Sequence, residues 1–136
     1  MEDGSDLETQ PTAQRSSRVR LNVGGKYFLT TYDTLSNAHN KEKPTYFSGI
    51  TSGHFKEEYD ELLKESYYFI DRDPTHFRYV LNYLRDGNVS CIPQKIELLR
   101  EILQESSFYA IEGLTTLLEK DLKALVEAEK LSASDE

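Results

Sequence analysis

Residues 18–31 (RVRLNVGGKYFLTT) leave the chain little choice of local structure. Val19, Leu21 and Val23 alternate with Arg18, Arg20 and Asn22, the period of a strand with one buried face. Gly24-Gly25 follows, and a glycine pair supplies the positive φ angles of a tight primed turn. Lys26–Thr31 reads as the return strand. A two-residue turn sets Leu21 opposite Phe28 and Arg20 opposite Leu29. The first pair suits a core. The second belongs to a mixed face, neither dry nor fully polar, which suggests a surface covered by something else. Gly24-Gly25-Lys26 is not a phosphate loop: it lacks the G-x-x-x-x-G-K-[ST] spacing, and no helix follows to meet an anion.

The rest of the chain reads as helices around one more strand. Thr31 or Asp33 is placed to cap a short helix through Leu35. Residues 37–45 are polar, contain Pro44 and form a loop. Tyr46–Ile50 suggests a second short helix ending near Gly53. Residues 54–65 are charged, with aromatics at Phe55 and Tyr59, and carry no readable period. Ser66–Asp71 has the aromatic, β-branched composition of a strand. Asp73-Pro74 then predicts an N-cap with proline at the first helical position. Phe77, Val80, Leu81 and Leu84 recur at helical spacing, and Gly87 closes that helix. Pro93 opens a unit with Ile96, Leu99, Ile102 and Leu103 on one face. Gly113 is the expected break before a last stripe, Leu114, Leu118, Leu122 and Leu125. Hairpin, helices, strand and three helices predict an α/β fold with a small, mainly three-stranded sheet.

A chain of 136 residues suits one domain. Its formal net charge of −8 sits mostly at the ends, −3 in residues 1–17 and −3 in 119–136. Such a balance argues against nucleic acid and against anionic membrane surfaces. Residues 1–17 hold one large apolar residue, Leu7, and are expected to be a disordered acidic tail. Residues 18–118 are expected to fold, and 119–136 to extend as a helix into an acidic tail. The lone Cys91 forms no internal disulfide, no apolar run approaches a bilayer span, and the acidic start is no signal peptide. A cytoplasmic protein is expected, with the nucleus open to it. His39, His54, His76 and Cys91 lack metal-ligand spacing, and no nucleophile turn marks a hydrolase. No catalytic, cofactor or metal site is expected. Asp71-Arg72-Asp73 packs three charges between a strand and a helix, either as an N-cap with surface ions or as a polar contact between subunits. Tyr46, Phe47, Phe55 and Tyr59 lie in polar surroundings, where aromatics can anchor a protein partner.

Four blocks, VRLNVGGKYFLTTYDTL (19–35), YFIDRDPTHF (68–77), VLNYLRDG (80–87) and ESSFYAIEGL (105–114), resemble the signature blocks of the potassium-channel-tetramerisation-type BTB/POZ family, in family order and spacing. LNYLRDG resembles the soluble adaptor members (the KCTD proteins) more than the channels. The resemblance implies a BTB/POZ fold and closed homo-oligomeric rings, commonly tetramers or pentamers, without catalysis or cofactor. It implies cullin-3 and a protein substrate as partners of a ubiquitin-ligase adaptor. The alternative is a structural assembly domain that does not bind cullin. Arg20, Asn22, Asp71, Arg72, Asp73 and Arg85 are the implied interface or structural residues. Residues 36–65 depart from the family pattern: the loop after Leu35 is longer, and Lys64-Glu65-Ser66 replaces the usual glycine turn.

Overall fold

The computed structural model describes residues 17–37 and 43–134. Residues 1–16 of the expected tail, His39 in the polar loop and the last two residues lie outside them. β1 (Arg18–Val23) and β2 (Lys26–Thr31) form the hairpin in the expected register, Leu21 opposite Phe28 and Arg20 opposite Leu29. Gly24 and Gly25 have φ of 56° and 105°, the backbone that a two-residue turn requires. Gly24 also allows a close approach. Its N–H donates to the Ile70 carbonyl at 2.9 Å, and a Cβ there would run into the carbonyl of Arg72.

α1 (Tyr32–Leu35) starts at Thr31, whose Oγ1 accepts from the Thr34 N–H at 3.0 Å. α2 (Ser48–Thr51) follows the polar loop. β3 (Glu58–Asp60) and β4 (Glu65–Ile70) make a second hairpin, and β4 runs parallel to β1. The sheet thus has four strands in the order β2-β1-β4-β3, one more than the sequence pattern suggests. β3 escapes that pattern because it is three residues long and buries no side chain. Its turn has no glycine. Asp60 Oδ1 accepts from the Leu62 and Leu63 N–H groups at 2.9 and 3.0 Å, and Lys64 takes the left-handed position at φ 57°. The hydrogen bond from Leu63 is the first cause holding the Asp60 carboxyl below its ordinary value.

α3 (Phe77–Asp86) begins later than Asp73-Pro74 predicts. Asp73 Oδ1 accepts from the Thr75 N–H at 2.9 Å and its hydroxyl at 2.6 Å, so the carboxylate closes a separate turn before the helix. Gly87 ends α3 in the left-handed region, as expected. α4 (Ile96–Phe108) and α5 (Glu112–Ser134) complete the chain. The break between them falls at Ala110, φ 58°, and Gly113 lies inside the first turn of α5. The Ile111 N–H returns to the Ser106 carbonyl at 3.1 Å, satisfying an end group of α4.

The inner face of the sheet (Val19, Leu21, Val23, Tyr68, Ile70) packs on Phe77, Val80, Leu81 and Leu84 of α3, with Leu99, Ile102, Leu114 and Leu118 behind. Aromatic rings fill the centre. Phe47 stacks on Tyr109 at 5.0 Å and 15°; Phe77 meets Tyr109 at 5.5 Å and Phe28 at 4.8 Å. The Tyr109 hydroxyl is buried with no hydrogen-bond partner among the described residues, which costs about 1–3 kcal/mol of desolvation. Burial also pushes its pKa above the ordinary 10.0. Below that value both states keep the proton. Above it the unfolded chain releases the proton first, so stability falls as pH rises. Tyr109→Phe is therefore expected to melt at or above the parent temperature at pH 7, and to lose less stability than the parent between pH 9 and 11. Thermal melts across that range test this; a drop of several degrees at pH 7 would contradict it.

Candidate interaction surfaces

Strand alternation carries a second set of side chains to the outer face of the sheet. Register places Arg20 beside Leu29, Asn22 between Tyr27 and Phe69, Tyr67 beside Glu58, and Asp60 beside Glu65. Arg20 forms an ion pair with Glu65 across β1 and β4, and its guanidinium lies 5.7 Å from the Tyr27 ring. Tyr27 meets Tyr67 edge-on at 5.7 Å and donates to Asp60 Oδ2 at 3.3 Å. Tyr67 donates to Glu58 Oε1 at 3.3 Å, and desolvation is the first cause raising its pKa. Around this polar network Leu29 and Phe69 stand exposed. The face is ordered before any partner arrives, and it is partly apolar.

The charged cluster after β4 turns inward. Arg72 Nε and Nη2 donate to the two Glu105 oxygens at 3.1 and 2.8 Å, and its guanidinium stacks 4.4 Å from the Phe108 ring. This fork geometry fits a carboxylate bidentately. It ties the end of β4 to α4 within the chain. Asn22 likewise spends its Oδ1 on the Gly25 N–H at 2.8 Å, capping the hairpin turn. Asp73 closes its own turn, and Arg85 donates to the Leu29 carbonyl and to Asn82 at 3.3 and 3.2 Å. Asn22, Arg72, Asp73 and Arg85 are thus engaged structurally. Asp71 is exposed beside them.

The four candidate partner anchors separate. Phe47 is 0% exposed and belongs to the core, packed among Tyr109, Phe77 and Tyr46. Tyr46 lies 5.1 Å from Phe55 and 5.2 Å from Phe108. Phe55 seats on Gly49, where a Cβ would lie 2.7 Å from its ring. Phe55 and Phe108 are 39% and 41% exposed. Tyr46, Phe55 and Phe108 therefore form one surface strip joining α2 to the end of α4. Tyr59 is exposed on β3, opposite Ser66 and apart from the strip. Phe108 was not a sequence candidate. Its signal is that it falls off the apolar stripe of its helix.

Among the described residues no group of three or more His, Cys, Asp or Glu side chains is placed to hold a metal, and no helix is long and apolar enough to cross a membrane. His76 Nε2 instead contacts Glu101 Oε1 at 2.6 Å, and His54 pairs with Ser52.

Arg72→Glu is expected to act on the fold first. It sets two carboxylates together and frees Phe108, at a cost of about 2–4 kcal/mol. The exchange Arg72→Glu with Glu105→Arg should restore most of it. A double-mutant cycle by chemical denaturation reads this; a coupling near zero would contradict the pair.

The family model described as the BTB/POZ domain matches residues 19–119. A similar protein is the FH protein interacting protein FIP2 of Arabidopsis thaliana, 38% identical over 122 residues, 88% of this chain and 38% of that protein. Another is the BTB/POZ domain-containing adapter for CUL3-mediated RhoA degradation protein 2 of Homo sapiens, 35% identical over 107 residues, 77% of this chain and 30% of that protein. The Gallus gallus protein of that name is also 35% identical, with 77% and 31% covered. The match spans only 30% to 38% of the length of these relatives. The match over most of this chain, on a hairpin-led sheet packed among helices, makes it a member of the potassium-channel-tetramerisation-type BTB/POZ family.

Proposed function

We propose that this chain is a self-associating adaptor module that brings a protein substrate to cullin-3. The observation that carries the reading is the surface strip in which exposed Phe55 and Phe108 flank half-buried Tyr46, held on a rigid aromatic core. Desolvated aromatic anchors on an ordered surface dominate most protein interfaces. Relatives named as adapters for CUL3-mediated degradation supply the identity of the ligase component. The outer face of the sheet is the surface for copies of the chain, in a closed ring of four or five. Its polar network is already paired inside each copy, and the exposed apolar side chains supply the gain on assembly. Localisation in the cytoplasm or nucleus follows from that partnership.

Light-scattering mass after size exclusion, alone and with the N-terminal region of cullin-3, tests both halves. A discrete oligomer that gains mass with cullin is expected. Phe55→Ala should weaken the cullin contact by about 2 kcal/mol, roughly thirty-fold, and leave the oligomer mass unchanged. An oligomer that ignores cullin would remove the adaptor role and leave an assembly domain.

A further inference from the structure

Tyr59 stands apart from the aromatic strip and from the outer face of the sheet. Of the nine tyrosines in the chain it alone is exposed, at 54%. The others are buried or half-buried, and the hydroxyls of Tyr27 and Tyr67 are spent on Asp60 and Glu58. The Tyr59 ring and hydroxyl meet no partner among the described residues.

The backbone beneath it is extended and open on one side. Tyr59 is the middle residue of β3, the last strand of the sheet, which pairs only with β4. A free strand edge is a form that another protein can lay along its own cleft. Register sets Tyr59 opposite Ser66. Alternation carries both to the side of the sheet on which Tyr68 and Ile70 are buried, away from Glu58, Asp60 and the outer network. A second copy on the outer face therefore leaves Tyr59 open.

The flanks are acidic. Residues 57–61 read Glu-Glu-Tyr-Asp-Glu, and residues 56–65 hold five acids against two lysines. The turn with exposed Leu62 and Leu63 belongs to the same acidic edge. No other tyrosine of the chain has acids within two residues on both sides. Kinases select among exposed hydroxyls by such charge patterns.

We infer that Tyr59 is a phosphorylation site for a tyrosine kinase with a basic substrate cleft, and that the phosphate loosens β3 from β4. In the transfer the Tyr59 hydroxyl oxygen bonds to the γ-phosphorus of ATP. The bond from that phosphorus to the bridging oxygen breaks, ADP leaves, and the phenol proton passes to a carboxylate base of the kinase. The product carries a charge of about −1.5 to −2 at pH 7, where four carboxylates already stand within two residues. β3 is held to β4 through three residue pairs. Like-charge repulsion of this size opens a short edge strand.

The test incubates the whole chain with ATP, magnesium and the catalytic domain of a tyrosine kinase that labels poly(Glu,Tyr), and maps the phosphate by tandem mass spectrometry. The first phosphate should fall on Tyr59, and Tyr59→Phe should abolish it. Glu57→Gln with Glu61→Gln keeps the hydroxyl and removes acidic flank; it should slow labelling about ten-fold, through KM rather than kcat. All three side chains are exposed, so both variants should keep the parent melting temperature. Amide exchange in residues 58–67 should run about ten-fold faster in the phosphorylated chain, with the helices unchanged. A folded parent that takes no phosphate while poly(Glu,Tyr) is labelled, or a first phosphate on another tyrosine, would overturn the site. Labelling indifferent to the two glutamines would overturn the basic cleft, and unchanged exchange would overturn the loosening of β3.

Discussion

The stacking of Phe47 on Tyr109, with Phe77 edged against both, is the contact on which the rest of the structure depends. It joins four segments far apart in sequence. Phe28 brings in the edge strand, Phe47 the short helix α2, Phe77 the start of α3, and Tyr109 the end of α4. The chain has no tryptophan, and packed pairs of smaller rings fill the volume where sheet and helices converge. Offset and edge-on ring pairs contribute about 0.5–1.5 kcal/mol each beyond burial. Their geometry also aims what lies above them. Tyr46 rests on Phe47 and Tyr109, Phe55 rests on Tyr46 and Gly49, and Phe108 rests beside Tyr46 and Tyr109. The surface strip is the outer layer of the hub.

Several polar side chains at strand and helix ends are spent within the chain. Arg72 clamps α4 to the end of β4, Asn22 caps the hairpin turn, and Arg85 ties the last turn of α3 to β2. Each satisfies a group that would otherwise face a less polar setting. The exposed apolar side chains left for partners are Leu29 and Phe69 on the sheet, Leu62 and Leu63 at its acidic edge, and Phe55 and Phe108 on the strip. Desolvating these costs less than desolvating a charge. Charge then sorts orientation rather than supplying affinity.

Regular periodicity made most of the framework legible from residues alone. The hairpin register, the strand through Ile70, the stripes of the last three helices and the Gly87 terminus all follow from period and punctuation. β3 was not legible because three exposed residues have no period to show. The α4–α5 break was misplaced at Gly113 because the left-handed position is filled by Ala110, a residue that gives no such signal. Asp73 looked like a helix cap because turn and cap use the same side chain in the same way. The candidate surfaces were half legible. Tyr46 and Phe55 stood out as aromatics in polar surroundings, but their neighbour Phe47 shares that signal and is core. Arg72 and Glu105 are 33 residues apart, and nothing local announces their pairing.

The central claim is that one rigid module carries two separate binding surfaces, the sheet for its own copies and the aromatic strip for cullin-3. Amide hydrogen exchange followed by mass spectrometry measures it most directly. Raising the concentration of the chain should slow exchange in residues 26–31 and 58–69. Adding the N-terminal region of cullin-3 should slow residues 46–56 and 105–110 and leave the first pair of segments unchanged. Protection of one and the same segment by both additions would contradict the account.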